Sequence, residues 1–124
     1  EAYNNMGNAF QDQGKLNKSI SCYEKALEFK PGYVEAFNNM GSAFEGQGRL
    51  NEAISCYEKA LEIKPDYADA HNNMGIAFQN QGKPEEAILC YQKALQLKPD
   101  YADACNYLVH QLQHTCAWQN IATP

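Results

Sequence analysis

Apolar residues in this chain recur at helical spacing, and the whole pattern returns at a fixed interval. Phe37, Met40, Gly41 and Phe44 stand at i, i+3, i+4 and i+7, which places them on one face of a helix. Ile54, Tyr57, Ala60 and Leu61 mark a second helix in the same way. Between the two lies "QGRL", elsewhere "QGKL" and "QGKP", whose Gly14, Gly48 and Gly82 suit the left-handed residue that ends a helix. Each second helix closes with Lys30, Lys64 or Lys98, a charge favoured at the negative helix end, and then a proline that cannot continue the helix. Gly7, Gly41 and Gly75 differ by 34, as do Pro31, Pro65 and Pro99, and Tyr23, Tyr57 and Tyr91. One unit is therefore a helical hairpin. The pattern predicts an all-α stack of repeats over 1–34 (its first residue missing), 35–68 and 69–102, a partial fourth repeat or capping helix over 103–116, and a tail over 117–124.

Small residues explain how a hairpin closes. Gly41 and Ala60 offer no bulk where the helices cross, and Phe44 and Tyr57 fill the space beside them. A lone hairpin cannot bury both its faces, so neighbours stack. In "DACNYLVHQLQHT", after Pro99, Leu108 and Leu112 are expected to cover the open end of the third unit. The chain opens on Glu1 inside a repeat, the expected appearance of an excerpt from a longer protein.

Composition narrows the function. At 124 residues with 44% hydrophobic content the chain is the size of one domain, and no apolar run nears the roughly 20 residues that span a bilayer. No secretory signal pattern is present. A net charge of −5 opposes the phosphate neutralisation on which nucleic-acid binding depends. Of five cysteines, Cys22, Cys56 and Cys90 recur at one repeat position, too far apart for a disulfide, whose Cα atoms approach within about 7 Å. Reduced thiols in a cytoplasmic protein are expected. The ten lysines and arginines all fall on connections or second helices, while the first helices carry Glu1, Asp12, Glu35, Glu45, Asp69 and Asp103.

The 34-residue spacing, "NMG…AF…QG", "AI…CY.KAL" and the closing "KP" together resemble tetratricopeptide repeats over about residues 1–102. Ser19 departs from the alanine seen at Ala53 and Ala87, and Tyr3 and His71 depart from Phe37. The resemblance implies a right-handed superhelix whose first helices line a concave groove. Relatives that clamp chaperone carboxyl termini need inner-face cations. Here Asn4, Asn38 and Asn72 stand near where lysine would be expected, which argues against such a clamp.

The adjacent asparagines are the candidate site. Asn5, Asn39 and Asn73 would form a row along the groove, with Asn4, Asn38 and Asn72 beside it. A carboxamide both donates and accepts, so it can pair with a passing main chain whatever its side chains are. Copies about 10 Å apart would meet about every third residue of a peptide that advances about 3.3 Å per residue. The alternative is that one asparagine of each pair bonds only to the adjacent helix.

After the third repeat Tyr107 replaces the row asparagine and Val109 the glycine. "PDYADA", "LVHQLQ" and "CAW", with Cys116 and Trp118, resemble the junction between repeats and catalytic region in O-linked N-acetylglucosamine transferases and the Spindly family. That resemblance implies that Asn5, Asn39 and Asn73 contact substrate backbones, and that Trp118 and Ile121 either dock on a further domain or fold back over the last helix.

Other chemistry is not supported. His110 and His114 lie four apart near Cys105 and Cys116, but there is no CxxC pair, and they read as polar residues at a helix end. His71 sits at a packing position. No nucleophile–base set or phosphate loop occurs, so neither catalysis nor a cofactor is expected. The expected function is a module that binds protein or extended peptide segments, the substrate-recruiting part of a glycosyltransferase. The alternative is a scaffold unrelated to sugar transfer. Exposed solenoid ends invite self-association.

Overall fold

The computed structural model describes residues 1–113. The expectations placed on His114, Cys116, Trp118, Ile121 and the tail lie outside the described residues. Within them the chain is all α, with no strand: α1 (Ala2–Asp12), α2 (Leu16–Phe29), α3 (Val34–Gly46), α4 (Leu50–Ile63), α5 (Ala68–Asn80), α6 (Pro84–Leu97) and α7 (Ala102–Gln113). Two compact units divide it. The first, Glu1–Asp66, holds the hairpins α1–α2 and α3–α4; the second, from Tyr67, holds the hairpin α5–α6 and then α7.

Each hairpin turns on a glycine. Gly14, Gly48 and Gly82 have φ of +76°, +76° and +77°, and no other described residue is left-handed. At the first turn the Gly14 N–H donates to Gln11 O at 2.9 Å and the Lys15 N–H to Phe10 O at 2.8 Å, which satisfies carbonyls the helix end would leave bare. Only glycine adopts this geometry without a Cβ penalty.

A second glycine sets how closely the two helices approach. A Cβ placed on Gly7, Gly41 or Gly75 would lie 2.5 Å from Cε1 of Tyr23, or 2.6 Å from Cε1 of Tyr57 or Tyr91. All three tyrosines are completely buried. Each ring therefore occupies the volume that any larger residue in the facing helix would need. Ala60, the other small residue at the crossing, is also completely buried. The departure at Ser19 is accommodated because its buried hydroxyl donates to Gly7 O at 2.8 Å across the same crossing.

Hairpins then stack through their second helices. In the first unit Ile20 and Tyr23 of α2 pack with Met40 and Ala43 of α3 and Cys56 of α4, bordered by Leu16, Leu27, Phe37 and Phe44. In the second unit Tyr91 of α6 stacks on Tyr107 of α7 with ring centroids 5.5 Å apart, and Leu112 of α7 is buried. The closing lysines also lie over tyrosine rings: Lys30 Nζ is 4.6 Å from the Tyr33 centroid and Lys98 Nζ 4.7 Å from that of Tyr101. Cys22, Cys56 and Cys90 are free and buried; Cys105 is free and exposed. No helix among the described residues is long and apolar enough to cross a membrane.

The glycine–tyrosine contact makes a sharp test. Gly41→Ala should destabilise the protein by about 1–3 kcal/mol, as overpacking does. Gly32→Ala, where a Cβ meets nothing within 4 Å, should leave the melting temperature almost unchanged in thermal denaturation.

Candidate peptide-binding site

The six asparagines separate into two sets with different environments. Asn4, Asn38 and Asn72 are only 6%, 7% and 3% exposed, whereas Asn5 is exposed and Asn39 and Asn73 are half-buried. The expectation that Asn4, Asn38 and Asn72 stand beside the row as peptide-binding residues is at odds with this burial. Their carboxamides are turned into the stack, where a passing peptide cannot reach them.

What they do there is visible in each unit. In the first, Asn4 Oδ1 accepts a bond of 3.1 Å from Asn39 Nδ2, and the Asn4 carboxamide lies beside the hydroxyl of Tyr33 at the entrance to the next repeat, where it offsets part of the rise that burial gives that hydroxyl. Asn4 thus joins α1 to α3 of the following hairpin. In the second unit Asn72 lies beside the Tyr101 hydroxyl, which donates to Asp69 Oδ1 at 2.8 Å. Tyr107 there replaces the row asparagine and offers no carboxamide N–H. Among the described residues Asn72 Oδ1 is left without a partner. At Asn4 and Asn72 the inner asparagine is thus a bolt between one repeat and the next.

The surface that remains is polar and carries no cation. No lysine or arginine lies on α1, α3, α5 or α7. On the first unit the exposed or half-exposed side chains of α1 and α3 include Asn5, Asn8, Gln11, Asn39, Ser42 and Glu45. Gln11 Nε2 donates to Ser42 Oγ at 2.9 Å, which joins the two helices along this face. Bonding to Asn4 uses one of the two N–H groups of Asn39 and leaves its carbonyl oxygen and second N–H as pairing capacity. The sequence reading passed over Asn8, one turn beyond Asn5, whose Oδ1 lies 2.6 Å from the Tyr23 hydroxyl.

The buried tyrosines anchor this face from below. Their hydroxyls reach one register position in each repeat: Tyr23 to Gln11 Oε1 at 2.9 Å, Tyr57 to Glu45 Oε1 at 2.8 Å, and Tyr91 to Gln79 Oε1 at 2.8 Å. Burial pushes the Tyr23 hydroxyl up to about 12 and raises Tyr57 further, with the Glu45 charge adding to it. Burial also raises the Glu45 carboxyl, and the bond from Tyr57 only partly offsets that. Glu45 thus places a partly desolvated carboxyl where the other two repeats have a neutral glutamine.

Comparison with known proteins agrees with this construction. The TPR repeat profile matches residues 7–48 and 46–82, and the tetratricopeptide repeat profile matches residues 68–101. The structure is similar to the first TPR domain of human RPAP3, with a TM-score of 0.89 at 28% identity over 95% of this chain and 93% of that one. It is also similar to the first TPR of Spaghetti (RPAP3) bound to the HSP90 peptide SRMEEVD, with a TM-score of 0.87 at 28% identity over 91% and 90%. The Sgt2 TPR domain from Aspergillus fumigatus shares the fold, with a TM-score of 0.89 at 21% identity over 99% and 83%. No curated protein sequence matches the chain.

The Glu45 environment predicts a pH dependence. A carboxyl whose folded pKa is raised favours folding only while protonated, so its penalty appears as pH rises through that pKa. Glu45→Gln should therefore raise the melting temperature at pH 7. The difference from the parent should shrink as pH falls through the carboxylate range, followed by thermal denaturation across a pH series.

Proposed function

The chain belongs to the tetratricopeptide-repeat family, and from that premise we propose that it is an interaction module that holds extended, uncharged peptide segments by their main chains. The observation that carries this reading is the outward face of the first helices, which presents Asn5 and Asn39 in one unit and Asn73 in the other without a single lysine or arginine. A bare carboxamide pairs with peptide N–H and C=O alike, so the face suits a main chain better than a charged terminus.

The Spaghetti domain supports the general role, since it holds a peptide. Its peptide SRMEEVD is acidic, and an acidic ligand needs cations to offset its desolvation. On this chain Glu45 and Asp12 would instead repel it, and the cations lie on connections and second helices. The proposed ligand is therefore neutral or weakly basic.

A finer proposal is that the module recruits substrates for an O-linked N-acetylglucosamine transferase-like enzyme in the cytoplasm. Its support is the resemblance in "PDYADA" and "LVHQLQ", with "CAW" outside the described residues. A glycosyltransferase region encoded after Pro124 would support it. Further repeats or a stop would leave the scaffold reading.

A peptide array probed with this fragment tests the ligand class. Neutral serine- and threonine-rich segments should bind in preference to acidic carboxyl termini, and the reverse order would overturn the proposal. For a bound neutral peptide, Asn5→Ala, Asn39→Ala and Asn73→Ala should each weaken affinity by about 1 kcal/mol. Asn5→Ala, at an exposed position, should do so without moving the melting temperature.

A further inference from the structure

In the middle hairpin one position of the first helix departs from its two counterparts. Gln11, Glu45 and Gln79 each accept a bond from the buried tyrosine of their own hairpin, at 2.9, 2.8 and 2.8 Å. A neutral glutamine therefore anchors the tyrosine as well as a carboxyl does, and the anchor has no need of an acid at Glu45. The acid is also costly where it stands, because the side chain is half-buried and burial disfavours its ionised form. Among the described residues no cation offsets that cost. Burial and the Tyr57 bond shift the carboxyl, and no charged group does. Arg49, four residues further on, bonds to Glu52 and lies 4.6 Å from the centroid of the Phe44 ring. Oε2 of Glu45, the oxygen that Tyr57 does not reach, has no hydrogen-bond partner among the described residues.

Glu45 also belongs to the face on which the outward asparagines stand. Asn39, Ser42 and Glu45 follow one another on α3 at intervals of three residues, so each neighbours the next on the helix surface. Glu45 lies about 9 Å along the helix axis from Asn39, at 1.5 Å per residue. Gln11 of α1, bonded to Ser42, flanks this run.

Resting on the reading that Asn5 and Asn39 hold a peptide main chain, we propose that Glu45 is a specificity-determining residue that selects a lysine or arginine side chain at one position of the bound segment. From a main chain held at Asn39, a serine or threonine side chain stops short of Glu45. A lysine or arginine has the stem to cross that interval and brings a cation to the open oxygen. Its arrival favours the ionised carboxylate and supplies the partner that the surrounding residues lack, in a partly dry site where such a pair is stronger than on open surface. Gln11 and Gln79 are neutral at the same register, so the preference falls on one peptide position instead of on basic character throughout.

The probes are a fluorescein-labelled, neutral serine- and threonine-rich peptide and a set in which a single lysine is moved along it, titrated with the whole chain and followed by anisotropy. Lysine at one position should tighten binding about tenfold, the gain expected of a hydrogen bond to a charged group. Glu45→Gln should remove that gain and leave the affinity for the neutral peptide unchanged; the fold accommodates it, since glutamine already occupies this register at Gln11 and Gln79. Glu24→Gln, which removes an exposed charge from α2, should keep the gain. Binding of the neutral peptide with no gain from lysine, an equal gain at every position, a gain kept in Glu45→Gln, or one lost equally in Glu24→Gln would overturn this inference and leave the main-chain reading standing. Binding by lysine peptides alone, lost in Glu45→Gln, would support it and overturn the reading of an uncharged ligand. Absence of binding by every peptide would overturn both.

Discussion

The closest constraint in this protein is the contact between a helix backbone and the face of a tyrosine ring. Gly7, Gly41 and Gly75 leave no space for even one carbon between α1, α3 or α5 and the rings of Tyr23, Tyr57 and Tyr91. Because the interior is close-packed, the approach fixes the rotation of each first helix as well as its distance. Rotation decides which side chains turn outward. The same tyrosines send their hydroxyls to Gln11, Glu45 and Gln79, so the apolar contact and the polar surface share one residue in each repeat.

With the rotation set, two consecutive asparagines must point in different directions, since neighbours on a helix are separated by about 100°. One carboxamide enters the stack and the other faces out. The inward one lies against the residue that leads into the next helix, Tyr33 for Asn4 and Tyr101 for Asn72. A buried carboxamide without those partners would cost about 1–3 kcal/mol, so the bolt works only between repeats. The outward one faces the surface proposed for recognition. On that proposal stability and binding are divided between adjacent residues of the same type.

Much of the fold was legible from spacing. The 34-residue interval, the turning glycines and the small residues at the helix crossing are local or periodic features, and each has a direct structural counterpart. The division between the asparagines was not legible, because the partner that buries Asn4 is Tyr33, 29 positions away in a connection whose sequence shows no sign of it. The closing lysines were read as favourable to a helix end, whereas the structure also places Lys30 and Lys98 over tyrosine rings that begin the next repeat. Ser19 looked like a departure; its bond to Gly7 O lies across a crossing that only the folded hairpin creates. The reading missed contacts between distant segments rather than properties of any one helix.

The division of the asparagine pairs is tested most directly by solvent exchange of their side-chain N–H₂ protons in ¹⁵N spectra of the free protein. The account predicts slow exchange at Asn4, which is buried between α1 and the next repeat, and rapid exchange at exposed Asn5. Equal, rapid exchange at both would contradict it. The inward bolt would then be absent, and the assignment of recognition to the outward asparagines would fail with it.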